Sequence, residues 1–84
     1  MPSYVVEAYV ASLSREELSS FEQRLRRAAE IVSRSGTPVE HQRSVHIPAD
    51  ETCFHFFEAA SAEAVGAAGT QAGVVFDRIT EALA

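Results

Sequence analysis

The sequence predicts an α+β fold in a single domain spanning residues 1–84, made from two strand–helix–strand units. Three observations carry that prediction. The chain has 84 residues and a hydrophobic fraction of 46%, which suits one packed core and argues against disorder. Two stretches, beginning at Ser14 and Ser61, open with capping residues and continue at helical spacing. The stretches flanking them are short and rich in β-formers, as strands are.

The elements follow in order. Residues 3–10, "SYVVEAYV", are rich in Val and Tyr and read as a strand. In "LSREEL", Ser14 precedes Glu17 by three residues, the spacing of a capping box, and Leu13 and Leu18 sit where a hydrophobic staple needs them. Leu18, Phe21, Leu25, Ala28 and Val32 then recur at helical spacing. Gly36 and Pro38 stop the helix, because Gly accepts a left-handed conformation and Pro cannot continue the ladder. Residues 39–47 and 52–59 read as two strands around the turn "PADE". Ser61 caps a second helix, with Glu63 favourable in its first turn, and Gly73 ends it. The segment 77–83, "DRITEAL", reads as the last strand.

The order is therefore β-α-β-β-α-β. Right-handed crossovers interleave two such units into a four-stranded antiparallel sheet with both helices on one face. This is the ferredoxin-like sandwich. Gly66 and Gly69 lie inside the second helical stretch, without the strand and lysine of a phosphate loop. They read as small residues that let that helix sit close to the sheet.

The second sheet face must also carry apolar side chains. Val5, Tyr9 and either Phe54 with Phe56 or the Phe57 parity point there. Large exposed aromatics call for another surface, and the expectation is a homodimer joined through this open sheet face. A chain this small buries only about 60% of its unfolded surface, so a partner also compensates for a thin core.

Charge and composition exclude other classes. The net charge of −5 opposes non-specific nucleic-acid binding. Arg24, Arg26, Arg27 and Arg34 are interleaved with Glu16, Glu17, Glu22 and Glu30, and Glu22–Arg26 and Glu30–Arg34 have the i,i+4 spacing of helix ion pairs. That is a solvated helix face; no nucleic acid is expected as a partner. No stretch approaches the roughly 20 apolar residues of a membrane span, and no secretory signal opens the chain. One cysteine cannot form an internal disulfide, which points to the reducing cytoplasm.

The segment "RSVHIPADETCFHFFEA" holds two of the three histidines and the only cysteine. Imidazole and thiolate suit nickel, zinc and copper. Whether they converge depends on the hairpin register, because a slip of one residue moves every side chain to the other face. With a two-residue loop, Ala49–Asp50, His46 faces Cys53, Ser44 faces His55, and His46 and His55 are diagonal neighbours. With a three-residue loop, Ala49–Glu51, His46 faces Phe54, and His55 joins the face of Val45 and His41. His46, His55 and Cys53 are the first candidate ligands; His41 and Glu7 are second choices. No Cys-x-x-Cys or His-x-x-x-His spacing supports them, and a lone cysteine is most often a small buried apolar residue. No catalytic set stands out. Glu7, Glu58 and Glu81 could gather in the sheet, but Glu7 or Glu81 paired with Arg78 is the simpler expectation.

Taken with "VVE" in the first strand, "SAEAV", "AG" and "DRITEA", this segment resembles the small bacterial nickel-binding or nickel-responsive proteins, a family common in actinobacteria. The resemblance covers nearly the whole chain and is strongest over Asp50–Ala59, Ser61–Val65 and Asp77–Glu81. It implies a ferredoxin-like fold, a dimer, and binding of nickel or another divalent transition metal, in a buffering or responsive role. Members often carry a histidine where this chain has Ala68 and an aromatic where it has Val45. The alternative is a small-molecule-binding or catalytic protein of the dimeric ferredoxin-like group, with an organic ligand in a cleft.

Overall fold

The computed structural model describes residues 1–83. The elements are β1 (Ser3–Tyr9), α1 (Arg15–Arg34), β2 (Val39–Ile47), β3 (Thr52–Ala59), α2 (Ala62–Ala72) and β4 (Arg78–Ala82). The strands form one sheet in the order β2-β3-β1-β4, every neighbouring pair antiparallel. Helix α1 packs on β2 and on α2, and α2 packs on β3 and β4. This is the β-α-β-β-α-β ferredoxin-like sandwich read from the sequence. None of the helices is long and apolar enough to cross a membrane, among the described residues.

The caps explain where the helices begin. The Ser14 hydroxyl accepts from Glu17 N at 3.1 Å, and Glu17 Oε1 accepts from Ser14 N at 2.9 Å. The bond from the Ser14 N–H, and then the nearby Ser14 hydroxyl, hold the Glu17 carboxyl below the usual carboxylate range. The Ser61 hydroxyl accepts from Ala64 N at 3.2 Å. Gly73 closes α2 with φ of 70°, in the left-handed region that glycine adopts without steric cost. Two strand boundaries are shorter than expected. Val10 lies beyond β1 and donates to Glu51 O. Asp77 precedes β4; its N–H donates to Glu7 O at 2.9 Å and its carboxylate accepts from Tyr9 N at 2.8 Å, so backbone and side chain together tie the loop to β1.

The "PADE" turn is one turn of 3-10 helix, Pro48–Asp50, followed by Glu51 at φ of 49°. It sets the register in which Ile47 pairs with Thr52, His46 with Cys53, and Ser44 with His55. That is the register of the two-residue loop. Further along, a bulge shifts the pairing between His41 and Arg43, so that His41 faces Phe57 and Arg43 faces Phe56. Outside β2, which is an edge strand, Ser33 Oγ donates to Val39 O and accepts from Val39 N, at 2.8 and 3.0 Å.

The core lies between helices and sheet. Tyr4 and Val6 of β1, Leu25, Ala29 and Val32 of α1, Phe57 of β3 and Val65 of α2 are buried together. Gly69 is small for a definite reason: a Cβ there would lie 2.6 Å from the Phe76 ring. The close neighbour is thus the segment before β4. Gly66 is less constrained, its nearest neighbour being Ile79 at an ordinary 3.8 Å.

Candidate functional site

Strand alternation assigns Cys53, His55 and Phe57 to the helix-covered face, and all three are only 1% exposed. Phe54 and Phe56 take the opposite parity and are half-buried. Ser44 lies across from His55 by register. The bulge adds one residue to β2 and so rotates His41 onto the same covered face, where it is also buried.

Three side chains then meet. The Ser44 hydroxyl lies 2.9 Å from His41 Nε2 and 2.6 Å from His55 Nδ1. Cys53 Sγ is 4.0 Å from the same His55 nitrogen. Glu22, which pairs with Arg26 at 3.8 Å, accepts the Ser44 backbone N–H at 3.0 Å and fixes β2 to α1. The rings of His41 and Phe57 meet edge to face at 5.3 Å between centroids, and His55 lies 5.7 Å from Phe76. His41 Nδ1 is buried and has no hydrogen-bond partner.

Burial dominates the electrostatics. It pushes the His55 imidazolium down to about 4, with a smaller contribution from His41. It lowers His41 as well, assisted by Arg26. Both rings are therefore neutral at pH 7. Burial, and then Glu22, pushes the Cys53 thiol up to about 11, so its resting form is the thiol.

The expected metal ligands are divided by this arrangement. His55 and Cys53 are adjacent, and His41 joins them through Ser44. His46 sits across from Cys53, as the two-residue loop requires, but its Nε2 is engaged with Val10 O at 3.0 Å. Glu7 does not belong with them. It pairs with Phe54 in the sheet, on the opposite face from Cys53 and His55, and lies 3.8 Å from Arg78 Nε. Glu81 takes the other parity, beside Tyr4, so the three sheet carboxylates do not cluster. Among the described residues, no group of three His, Cys, Asp or Glu is arranged as it stands to hold a metal ion.

Ser44 was not singled out by the sequence, although its place opposite His55 in one register was the available signal. Nor was Arg24. A cleft of about 190 Å³ opens beside His55, between α1 and the loop after α2, lined among others by Phe21, Arg24, Cys53, Val74 and Val75. A wider groove of about 550 Å³ runs along α1 and β2 and reaches His41. The Ser44-centred chain thus lies between two openings.

A crystal structure of SCO4226 from Streptomyces coelicolor A3(2) is similar to this chain, with a TM-score of 0.76, 21% identity, and coverage of 95% of this chain and 94% of that one. At that identity the likeness establishes the fold. A scan of protein-family models finds no match, and a search of curated proteins finds none either.

Proposed function

We propose that this protein binds a divalent transition metal ion through His41 and His55, with Cys53 as a third donor, and that it works as a homodimer. One observation carries the reading: two buried neutral imidazoles direct ring nitrogens at a single point, the Ser44 hydroxyl, with a sulfur 4.0 Å from one of them. Neutral imidazole and thiolate are the donor set that nickel, zinc and copper favour. Nickel is the ion to which the sequence resemblance points, in a buffering or responsive role. Ser44 must yield its place for both nitrogens to reach one ion, and Cys53 must give up its proton. His46 and Glu7 are left out of this set, because one is bonded to Val10 O and the other faces away. A free thiol suits the reducing cytoplasm.

The dimer uses the open face. Val45 and Ile47 are each 37% exposed and Tyr9 is 68% exposed. Phe56 lies beneath the Arg43 guanidinium at 4.9 Å.

Nickel titration of EDTA-treated protein by calorimetry tests the site. We expect one ion per protomer, loss of binding in His55→Ala and His41→Ala, and parental affinity in His46→Ala. Parental affinity in His55→Ala would overturn the assignment.

A second reading is favoured by the cleft beside His55: a small organic ligand held between helices and sheet, in the manner of the dimeric ferredoxin-like group.

A further inference from the structure

The cleft beside His55 has an unusual charge balance. The protein carries a net charge of −5, yet among the described residues no acidic side chain lines this cleft. Its one charged group is Arg24, which has no carboxylate partner within 4 Å among the described residues. Arg24 is nevertheless held in place. One of its terminal nitrogens donates to Ala72 O at 2.7 Å, and its guanidinium lies 5.3 Å from the centre of the Phe21 ring. The remaining N–H groups of the fork are free to bind an anion, and a planar guanidinium matches a carboxylate. Phe21, Val74 and Val75 add apolar wall. The volume of about 190 Å³ suits one ring, since an apolar cavity of about 150 Å³ accepts benzene.

His55 supplies the second polar contact. It lines the cleft while its Nδ1 is bonded to Ser44. Its other nitrogen, Nε2, has no hydrogen-bond partner among the described residues and is not one of the sealed buried atoms. The proton on that nitrogen is set by the chain behind it. The Ser44 hydroxyl has one proton, so it donates to one ring and accepts from the other. If it donates to His55 Nδ1, both histidines carry their proton on Nε2. If it donates to His41 Nε2, both carry it on Nδ1. The two rings always share a tautomer, and only the first presents an N–H to the cleft.

We infer that this cleft binds a small monocarboxylate with an apolar body about the size of benzoate. Arg24 takes the charge, His55 Nε2–H donates a hydrogen bond, and the Ser44-linked pair switches its shared tautomer when the anion binds. The inference rests on the small-molecule reading above and not on the metal reading.

The test uses the full chain, treated with EDTA and labelled with ¹⁵N-histidine, with benzoate and its neutral analogue benzyl alcohol as probes. We expect benzoate to move both His55 and His41 towards the Nε2–H tautomer at the same concentration, although His41 does not line the cleft. Arg24→Gln should weaken benzoate binding at least tenfold, and Arg24→Lys should recover part of it. Ser44→Ala should leave His55 responsive and His41 silent. If benzoate binds equally to Arg24→Gln, the charge assignment is wrong. If His41 stays still while benzoate saturates the parent, the coupled tautomer is wrong. Binding of benzyl alcohol without benzoate would keep the small-molecule reading and overturn the carboxylate. Failure of both probes would overturn the two together.

Discussion

The two faces of the sheet invert the usual distribution of side chains. The covered face buries two imidazoles and a thiol beside its apolar core, linked through the hydroxyl of the half-buried Ser44. The open face carries Phe54, Phe56, Val45 and Ile47, mixed with Arg43 and the Glu7–Arg78 pair. Buried polar groups cost stability unless paired, and apolar groups left in water usually meet a surface. The covered face is polar where a ligand would need it. The open face is apolar where a partner would need it. Each departure from the simple rule therefore points to a separate task.

The contrast breaks most directly at two adjacent phenylalanines. Phe57→Ala, on the covered face, should cost about 3–5 kcal/mol, as for other buried aromatics. Phe56→Ala should cost the monomer under about 1 kcal/mol and weaken the proposed dimer instead. Denaturation at low and high protein concentration, with light scattering, separates the effects. Equal losses at all concentrations would mean that the open face has no partner.

Acid should expose the cost of the buried imidazoles. His55 is depressed to about 4 in the folded protein, so its contribution is complete above the unfolded value near 6.5. As pH falls from 6.5 to 4, the unfolded chain gains a proton that the folded chain refuses. The metal-free protein should lose roughly 3 kcal/mol over that window, and the lowered His41 adds to the loss in the same direction. Urea midpoints at pH 7, 5.5 and 4 would show it; a flat profile would mean that the histidines are solvated.

Two smaller effects calibrate the comparison. Ser14→Ala removes the helix cap remote from both faces and should cost about 1 kcal/mol, read as a lower urea midpoint with unchanged slope. Glu7→Gln breaks an ion pair whose Arg78 side chain is 70% exposed, and should change stability by less than about 0.5 kcal/mol. A larger change in dilute protein would show that the open face is drier than its exposure implies.

The order of elements was legible because caps and breakers are local: Ser14 with Glu17, Ser61, Gly73 and Pro38 each act within a few residues. The face of each β3 residue was not legible. Cys53, His55 and Phe57 alternate with Phe54, Phe56 and Glu58, and both sets are apolar enough to enter a core. The candidate site suffered more from the bulge. By simple alternation, His41 shares a face with Val45 and not with Ser44. The extra residue near Gln42 reverses that, so the hairpin follows one expected register near the turn and brings in His41 as the other would have done. Bulges arise from pairing between strands, and nothing in the composition of "EHQRS" announces one.

The bonds from α1 to the edge of the sheet have a consequence for assembly. A bare edge strand is a template on which another chain can add a strand, and repeated addition gives fibrils. Here Ser33 occupies both backbone groups of Val39, Glu22 occupies the N–H of Ser44, and the bulge interrupts the line between them. An incoming strand would have to evict a serine and a glutamate supplied by the protein's own helix. Recruitment along that rim is opposed from Val39 to Ser44. The opposite edge is β4, a strand of only five residues, and the proposed two-fold contact through the broad face would be satisfied by two copies and leave no site for a third.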